Sequence, residues 1–190
     1  IASPEWEWGF AYQEKIYEEL DLLVSGKNRR LMIFMPPRHG KSECVTVRFS
    51  VWLLLKNPKL RIVVGAYNSQ LAEMFSRTAR ALAIENGLVL STEIAKADEW
   101  HTAEGGMFKA VGVGSGITGF GADYVIIDDP IKSREEANSA ANRQRVHGWW
   151  KSDIYTRHQK NVRFILIQTR WHEDDLAGRL LTGANSKKWR

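Results

Sequence analysis

The sequence predicts an α/β fold with a central, mostly parallel sheet covered by helices on both faces. Three observations lead to it. Runs that are apolar or nearly so recur at residues 31–35, 61–66, 124–128 and 162–169, and strands lacking polar alternation are buried on both faces. Segments with apolar residues at helical spacing separate these runs, the alternation that builds parallel sheets. The tripeptide Gly40-Lys41-Ser42 stands where the first run passes into a helical stretch.

The elements follow in order. Tyr12, Ile16, Leu20 and Leu23 mark a first helix, with Gly26 as its stop. Residues 31–35 form a strand, and residues 41–56 a helix ended by Asn57-Pro58. Residues 61–66 form the second strand. Ser69 caps a helix to about residue 86, with Gly87 beyond it. Residues 100–113 read as a hairpin about Gly105-Gly106. A glycine-rich stretch spans 112–121, and it suits either a nucleotide-side or a DNA-facing loop. Residues 124–128 form a buried strand ending in acid. Ser133 caps a long helix to about residue 158, residues 162–169 form a further strand, and residues 174–181 a last short helix.

Composition narrows the class. A chain of 190 residues with 44% hydrophobic and 26% charged residues is one soluble domain with a real core. No apolar run reaches membrane-spanning length. Twenty-seven basic against 22 acidic residues, a net charge of +5, favours a polyanionic over a cationic partner. Cys44 is the only cysteine, which excludes an intrachain disulfide and a multi-thiolate zinc site and suits a reducing cytoplasm. Eight tryptophans are many for this length; most are assigned to the core and one or two to a partner surface.

A strand, a loop, Gly40-Lys41-Ser42 and then a helix is the arrangement a triphosphate needs. Backbone N–H groups and the helix dipole face the anion. Lys41 reaches the outer phosphates, and the Ser42 hydroxyl ligates Mg2+. Met35 stands where the usual pattern has its first glycine. The plain alternative is a strand–turn–helix with a surface lysine. The second half of the site is Val125-Ile126-Ile127-Asp128-Asp129, a buried strand delivering two carboxylates to the sheet edge where ligands bind. Asp128 is the metal ligand and Asp129 the group that orients and polarises water. Asp-Asp-Pro is also good turn chemistry, and both readings can hold.

Three segments together resemble the ATPase domain of the large terminase subunit of tailed bacteriophages and prophages. They are Pro36-Pro37-Arg38-His39-Gly40-Lys41-Ser42-Glu43, Thr118-Gly119-Phe120-Gly121-Ala122-Asp123-Tyr124-Val125-Ile126-Ile127-Asp128-Asp129-Pro130, and Gln168-Thr169-Arg170-Trp171-His172-Glu173-Asp174-Asp175-Leu176. The resemblance implies a P-loop NTPase of the additional-strand type. It implies Mg-dependent ATP hydrolysis that packages double-stranded DNA into a procapsid, in a homo-oligomeric ring on a portal. It further implies a small terminase subunit as partner, no membrane, and the bacterial host cytoplasm as location. Nucleotide binding falls to Pro37, Arg38, His39, Gly40, Lys41, Ser42 and Glu43. Catalysis falls to Asp129, Arg38 and Lys41, the metal to Ser42 and Asp128, and coupling to Gln168 and Thr169. Residues 1–184 would be the ATPase domain and residues 185–190 the start of a linker to a nuclease domain. Where many relatives carry arginine between the two glycines of Thr-Gly-x-Gly, this chain has Phe120. Arg134, Arg143 and Arg145 are substitutes for an arginine acting on a neighbouring subunit.

Gln13, after the aromatics Trp6, Trp8, Phe10 and Tyr12, reads either as an adenine contact or as a surface residue of the first helix. His172-Glu173-Asp174-Asp175 reads as a helix start rather than a metal site. Lys151, Arg157, His158, Lys160 and Arg163, interleaved with Trp149, Trp150 and Tyr155, read as a solvated helix face with aromatics turned inward, with DNA phosphates as the alternative. Two rival functions remain: a helicase-like, nucleic-acid-stimulated ATPase, and a nucleotide-dependent binding module with little turnover.

Overall fold

The computed structural model describes residues 9–116, 121–183 and 186–190, and within these the side chains of all but 157–160. Seven strands form one sheet in the order β1-β7-β6-β2-β5-β4-β3. The first five positions in that order are parallel: β1 (Arg30–Phe34), β7 (His158–Gln168), β6 (Ala122–Asp128), β2 (Arg61–Ala66) and β5 (Met107–Gly112). The hairpin partner β4 (Glu99–Thr102) and the edge strand β3 (Leu90–Ala95) complete it antiparallel. One strand, β7, separates the loop-bearing β1 from the acid-bearing β6. That is the additional-strand order the resemblance implied.

Helices cover both faces. On one lie α1 (Ala11–Val24), the helical run Ser42–Lys56 and α3 (Ser69–Glu85), packed through Leu20, Leu23, Val45, Leu54 and Ala79 against Ile62, Val64 and Ile126. On the other, α5 (Ala140–Trp149) and α6 (Leu176–Thr182) bring Val146, Trp149, Leu176 and Ala177 onto Val63, Val125, Ile127 and Leu166. The parallel strands therefore have a core on both sides, which is why their sequences are apolar without alternation.

Several expectations are corrected. The run after the loop is not uniformly α-helical: Ser42–Phe49 is a π-helix, and only then does α2 (Ser50–Lys56) begin. Asn68, not Ser69, caps α3, its side chain accepting from the backbone of Leu71 at 2.9 Å. The long helix from Ser133 is broken. Ser133 caps α4 (Arg134–Asn138), and Ser139, with extended backbone, accepts from the Asn142 N–H and starts α5. A serine hydroxyl offers the backbone this alternative to a continued helix. The far end of that run is π-helical at Trp150–Ile154, and β7 already begins at His158. Strand β3 has no counterpart in the sequence pattern, because its half-exposed edge position needs little apolar character.

Gly112 lets β5 meet α3. A Cβ there would lie 2.5 Å from the Ser69 backbone nitrogen, so any side chain would push the two elements apart. At the other end of the chain, Arg190 donates its N–H to the Arg30 carbonyl at 3.0 Å and accepts from Met32 N–H at 2.8 Å, so it pairs with the start of β1. No helix among the described residues is long and apolar enough to cross a membrane.

Candidate nucleotide site

The carboxyl ends of β1, β6 and β7 meet at one edge, and every element of the site leaves the sheet there. After Phe34 the chain loops through Met35 to Gly40 and enters the π-helix at Ser42. Arg38 and Gly40 hold left-handed backbone, with φ of 63° and 73°. Glycine does so freely, whereas arginine costs on the order of 1 kcal/mol. These reversals curl the loop into a cradle of the kind that presents N–H groups to an anion. Pro36, Pro37, Arg38 and His39 are exposed, and His39 Nδ1 lies 2.9 Å from the Pro37 carbonyl oxygen.

Lys41 does not point into solvent, so the alternative of a surface lysine is excluded. It is buried, its ammonium is 2.8 Å from Asp129 Oδ2, and it donates to Thr169 Oγ1 at 3.3 Å. Asp129 Oδ1 accepts from the Thr169 N–H at 2.7 Å, and the Thr169 hydroxyl donates to the Met35 carbonyl at 3.2 Å. The loop, the end of β6 and the end of β7 are thereby closed into one polar clasp. Asp129 itself has φ of 41°, left-handed at the first position past the strand. This turn swings its carboxylate towards Lys41 while Asp128 stays inside the sheet.

Asp128 is 1% exposed. Its Oδ2 accepts from the Thr46 hydroxyl at 2.6 Å, while Oδ1 is buried without a hydrogen-bond partner. Burial raises its pKa to about 6, the Asp129 charge adding to the rise and the Thr46 and Ser42 hydroxyls and Lys41 opposing it. An unpartnered carboxylate oxygen beside a serine hydroxyl is the donor set of a hard cation that keeps water and phosphate ligands, so Ser42 and Asp128 fit Mg2+. Thr46 is the candidate site residue that sequence reasoning missed. Its signal was a hydroxyl one turn after Ser42, and in the π-helix both hydroxyls bear on Asp128.

The raised pKa gives a signed expectation. The fold favours protonated Asp128, so this group's stabilisation is complete below about pH 4 and is lost as pH rises through about 6. The loss approaches about 3 kcal/mol by pH 7 at roughly 1.4 kcal/mol per unit. Asp128→Asn should therefore melt higher than the unsubstituted, nucleotide-free chain at pH 7.5, and the difference should shrink as pH falls, to disappear only below about 4. Melting curves across that range test this; parallel curves at every pH would contradict it.

Beyond the clasp, Gln168 Nε2 donates to Asp175 Oδ2 at 2.8 Å, and Arg170 Nε donates to the same oxygen at 2.6 Å. Asp175 is the N-cap of α6, its Oδ1 accepting from the Gly178 N–H at 2.9 Å. The end of β7 is thus bonded to the start of α6. His172-Glu173-Asp174-Asp175 forms this helix start, as read: His172 Nδ1 accepts from the Asp174 N–H at 2.9 Å, and Arg179 and Arg143 bind the Asp174 carboxylate at 2.7 and 3.0 Å.

Other candidates are placed as follows. Gln13 is buried, and its Oε1 accepts from the N–H groups of Gly9 and Phe10, closing the start of α1; it is not a surface residue. The exposed rings of Phe10 and Tyr12 stack at 5.6 Å, and Tyr12 meets the His39 ring at 6.4 Å, so this helix start borders the loop. Glu43 pairs with buried Arg48 at 2.8 Å. Arg143 is held by Asp174 and the Ala137 carbonyl, whereas Arg134 and Arg145 are exposed. Phe120 lies outside the described residues. In the basic stretch Trp149 and Trp150 are buried as read, but Arg163 is not a solvated charge: its guanidinium donates to the Leu23 and Val24 carbonyls at 2.7 and 3.2 Å and ties the end of α1 to β7. The side chains of Arg157, His158 and Lys160 lie outside the described ones.

Against known proteins, residues 32–189 match the family described as "Terminase large subunit, T4likevirus-type, N-terminal". No curated protein sequence matches the chain. Among solved structures, the chain is similar to the HK97 bacteriophage large terminase, with a TM-score of 0.61 and 14% identity over 96% of this chain and 38% of that one. It is similar to an arginine-to-alanine mutant of the Thermus phage P74-26 large terminase ATPase domain, with a TM-score of 0.56 and 15% identity over 85% of this chain and 65% of that one. It is also similar to the large terminase of a thermophilic bacteriophage in complex with ATP-gamma-S, with a TM-score of 0.51 and 12% identity over 83% of this chain and 37% of that one. At such identities these likenesses speak for the fold alone, and the chain spans less than two thirds of each.

Proposed function

Because this chain belongs to the terminase large-subunit family, T4likevirus-type, N-terminal, we propose that it is the ATP-hydrolysing part of a motor that moves viral double-stranded DNA into a procapsid. The observation that carries the reading is the convergence of Lys41, Asp129 and Thr169 from three separate strand ends. A phosphate chain laid in the 37–43 loop would meet the Lys41 ammonium and the N–H groups of Gly40 to Glu43, with exposed Arg38 over the outer phosphate. Ser42 and Asp128 would hold Mg2+, whose charge offsets that of the phosphates. The Phe10–Tyr12 ledge beside His39 would stack on adenine, with Gln13 behind it.

Hydrolysis then follows from the clasp. Lys41 transfers its charge from Asp129 to the outer phosphate. Asp129 Oδ2 is freed to orient a water and accept its proton. The water oxygen bonds to the γ-phosphorus and the bond to the ADP oxygen breaks. Release of the clasp alters the partners of Thr169, and Gln168 and Arg170 carry that change to Asp175 and α6. Residues 1–184 serve as the motor domain. The assembly would be a ring on a portal, served by a small subunit, in the host cytoplasm.

Turnover measured against protein concentration tests the reading. Hydrolysis per chain should rise with protein concentration and again with duplex DNA. Stimulation by single strands only would favour the helicase-like reading. ATP binding with no turnover at any concentration would reduce the chain to a binding module.

A further inference from the structure

A second feature lies at the opposite end of α6 from Asp175. A recess of about 500 Å3 opens between α5, α6 and the start of β1. Its floor is aromatic, made by buried Trp150 and half-buried Tyr155. Arg30, Lys151 and Arg179 line it, together with His147, and no carboxylate does so among the described residues.

The cations are differently held. Arg30 is fixed by its rings: its guanidinium carbon lies 5.4 Å from the Tyr155 centroid, 5.7 Å from Phe164 and 5.9 Å from Trp189, and it donates to the Tyr155 hydroxyl at 3.4 Å. Arg179 is oriented by Asp174, which binds it through two nitrogens at 2.7 and 2.8 Å, and by Gln144, whose Oε1 accepts from the third at 2.7 Å. Lys151 is exposed at the rim. Neither Arg30 nor Lys151 makes an ion pair among the described residues, so two charges in one concavity are uncompensated. The effect reaches His147. Burial lowers its pKa, and the charges of Arg179 and Lys151 lower it further. The ring is held neutral chiefly by burial and then by these two cations, against the opposing charge of Asp174, and a neutral imidazole still offers one N–H donor.

We propose that this recess binds a backbone phosphate of duplex DNA, with Arg30, Arg179 and Lys151 around the anion and the Trp150–Tyr155 floor under the sugar. The proposal rests on the DNA-motor reading above and names where the track is touched. Preorganised guanidinium groups and an exposed lysine suit a phosphodiester, which carries charge but no sequence. The volume admits a phosphate with its sugar. Because α6 runs from the Gln168–Asp175 link to Thr182 and Gly183 at the recess, a helix displaced by the nucleotide site would move the phosphate contact.

The test is fluorescence anisotropy of a labelled duplex titrated with the full chain at several salt concentrations. Lys151→Glu should weaken binding about tenfold at low salt and reduce the slope of log affinity against log salt by about one. Lys59→Glu, the same charge change at an exposed site beside β2, three strands from β1, serves as the reference, and basal ATP turnover should be unchanged in both. Duplex should also shift the His147 ring resonances of the unsubstituted chain towards the protonated form. Equal losses in the two variants would overturn the site while leaving the motor reading intact. A His147 shift with inorganic phosphate but none with duplex would overturn its assignment to DNA. An unsubstituted chain that binds no duplex even at low salt would overturn the motor reading, and this site with it.

Discussion

Lys41→Ala should lower ATP turnover by at least about a hundredfold, the scale set by removing one preorganised charge from a reacting centre. The loss has two parts. The ammonium that would neutralise the outer phosphates is gone. Asp129, which holds Lys41 at 2.8 Å, is left with no cation and faces the phosphates as a like charge. Nucleotide titration should therefore show weakened binding as well as slow turnover. The Asp129 side chain is 25% exposed and can be hydrated, so the variant should fold. Turnover within a few-fold of the unsubstituted chain would mean that Lys41 serves only the resting structure.

Asp129→Asn should separate the two roles. A positioned base contributes about 10²- to 10⁴-fold, so turnover should fall by that order. ATP should bind more tightly, because a neutral amide competes poorly for Lys41. A tenfold gain would correspond to about 1.4 kcal/mol released from the clasp. Asparagine is the informative replacement because it tolerates the left-handed backbone at φ 41°, whereas a β-branched residue would disturb the turn itself. Single-turnover hydrolysis together with equilibrium binding would decide. Unchanged hydrolysis would assign the water to another group, and weaker binding would show that Asp129 supports the cradle instead of competing with it.

What the sequence made legible is what local chemistry determines. The buried strands were readable because two-sided burial demands uninterrupted apolar residues, and β2 runs over the predicted residues, Arg61–Ala66. Gly40-Lys41-Ser42 and Asp128-Asp129 were readable because each sits at a strand end. The strand order was not written in any one segment and came only with the family resemblance. The break at Ser139 was missed because a serine inside a helical pattern is ambiguous until its hydroxyl finds Asn142. Thr46 was missed because its partner Asp128 is remote in sequence, and the π-helix that turns it inward has no periodic signature. Asp175 was read as a helix-start acid, but its bonds to Gln168 and Arg170 emerge only when β7 and α6 are packed.

The Lys41–Asp129 contact also has a kinetic meaning. If the loop binds phosphates as proposed, the resting chain carries its own competitive inhibitor, a carboxylate tethered beside the cradle at a local concentration set by the fold and independent of the solution. Apparent nucleotide affinity is the intrinsic affinity scaled by the fraction of time Lys41 is unoccupied. The same tether would act again when phosphate departs, since Asp129 would recapture the ammonium and erode the grip on the remaining diphosphate. On that reading, one carboxylate 2.8 Å from one ammonium raises the nucleotide concentration needed for loading and hastens emptying.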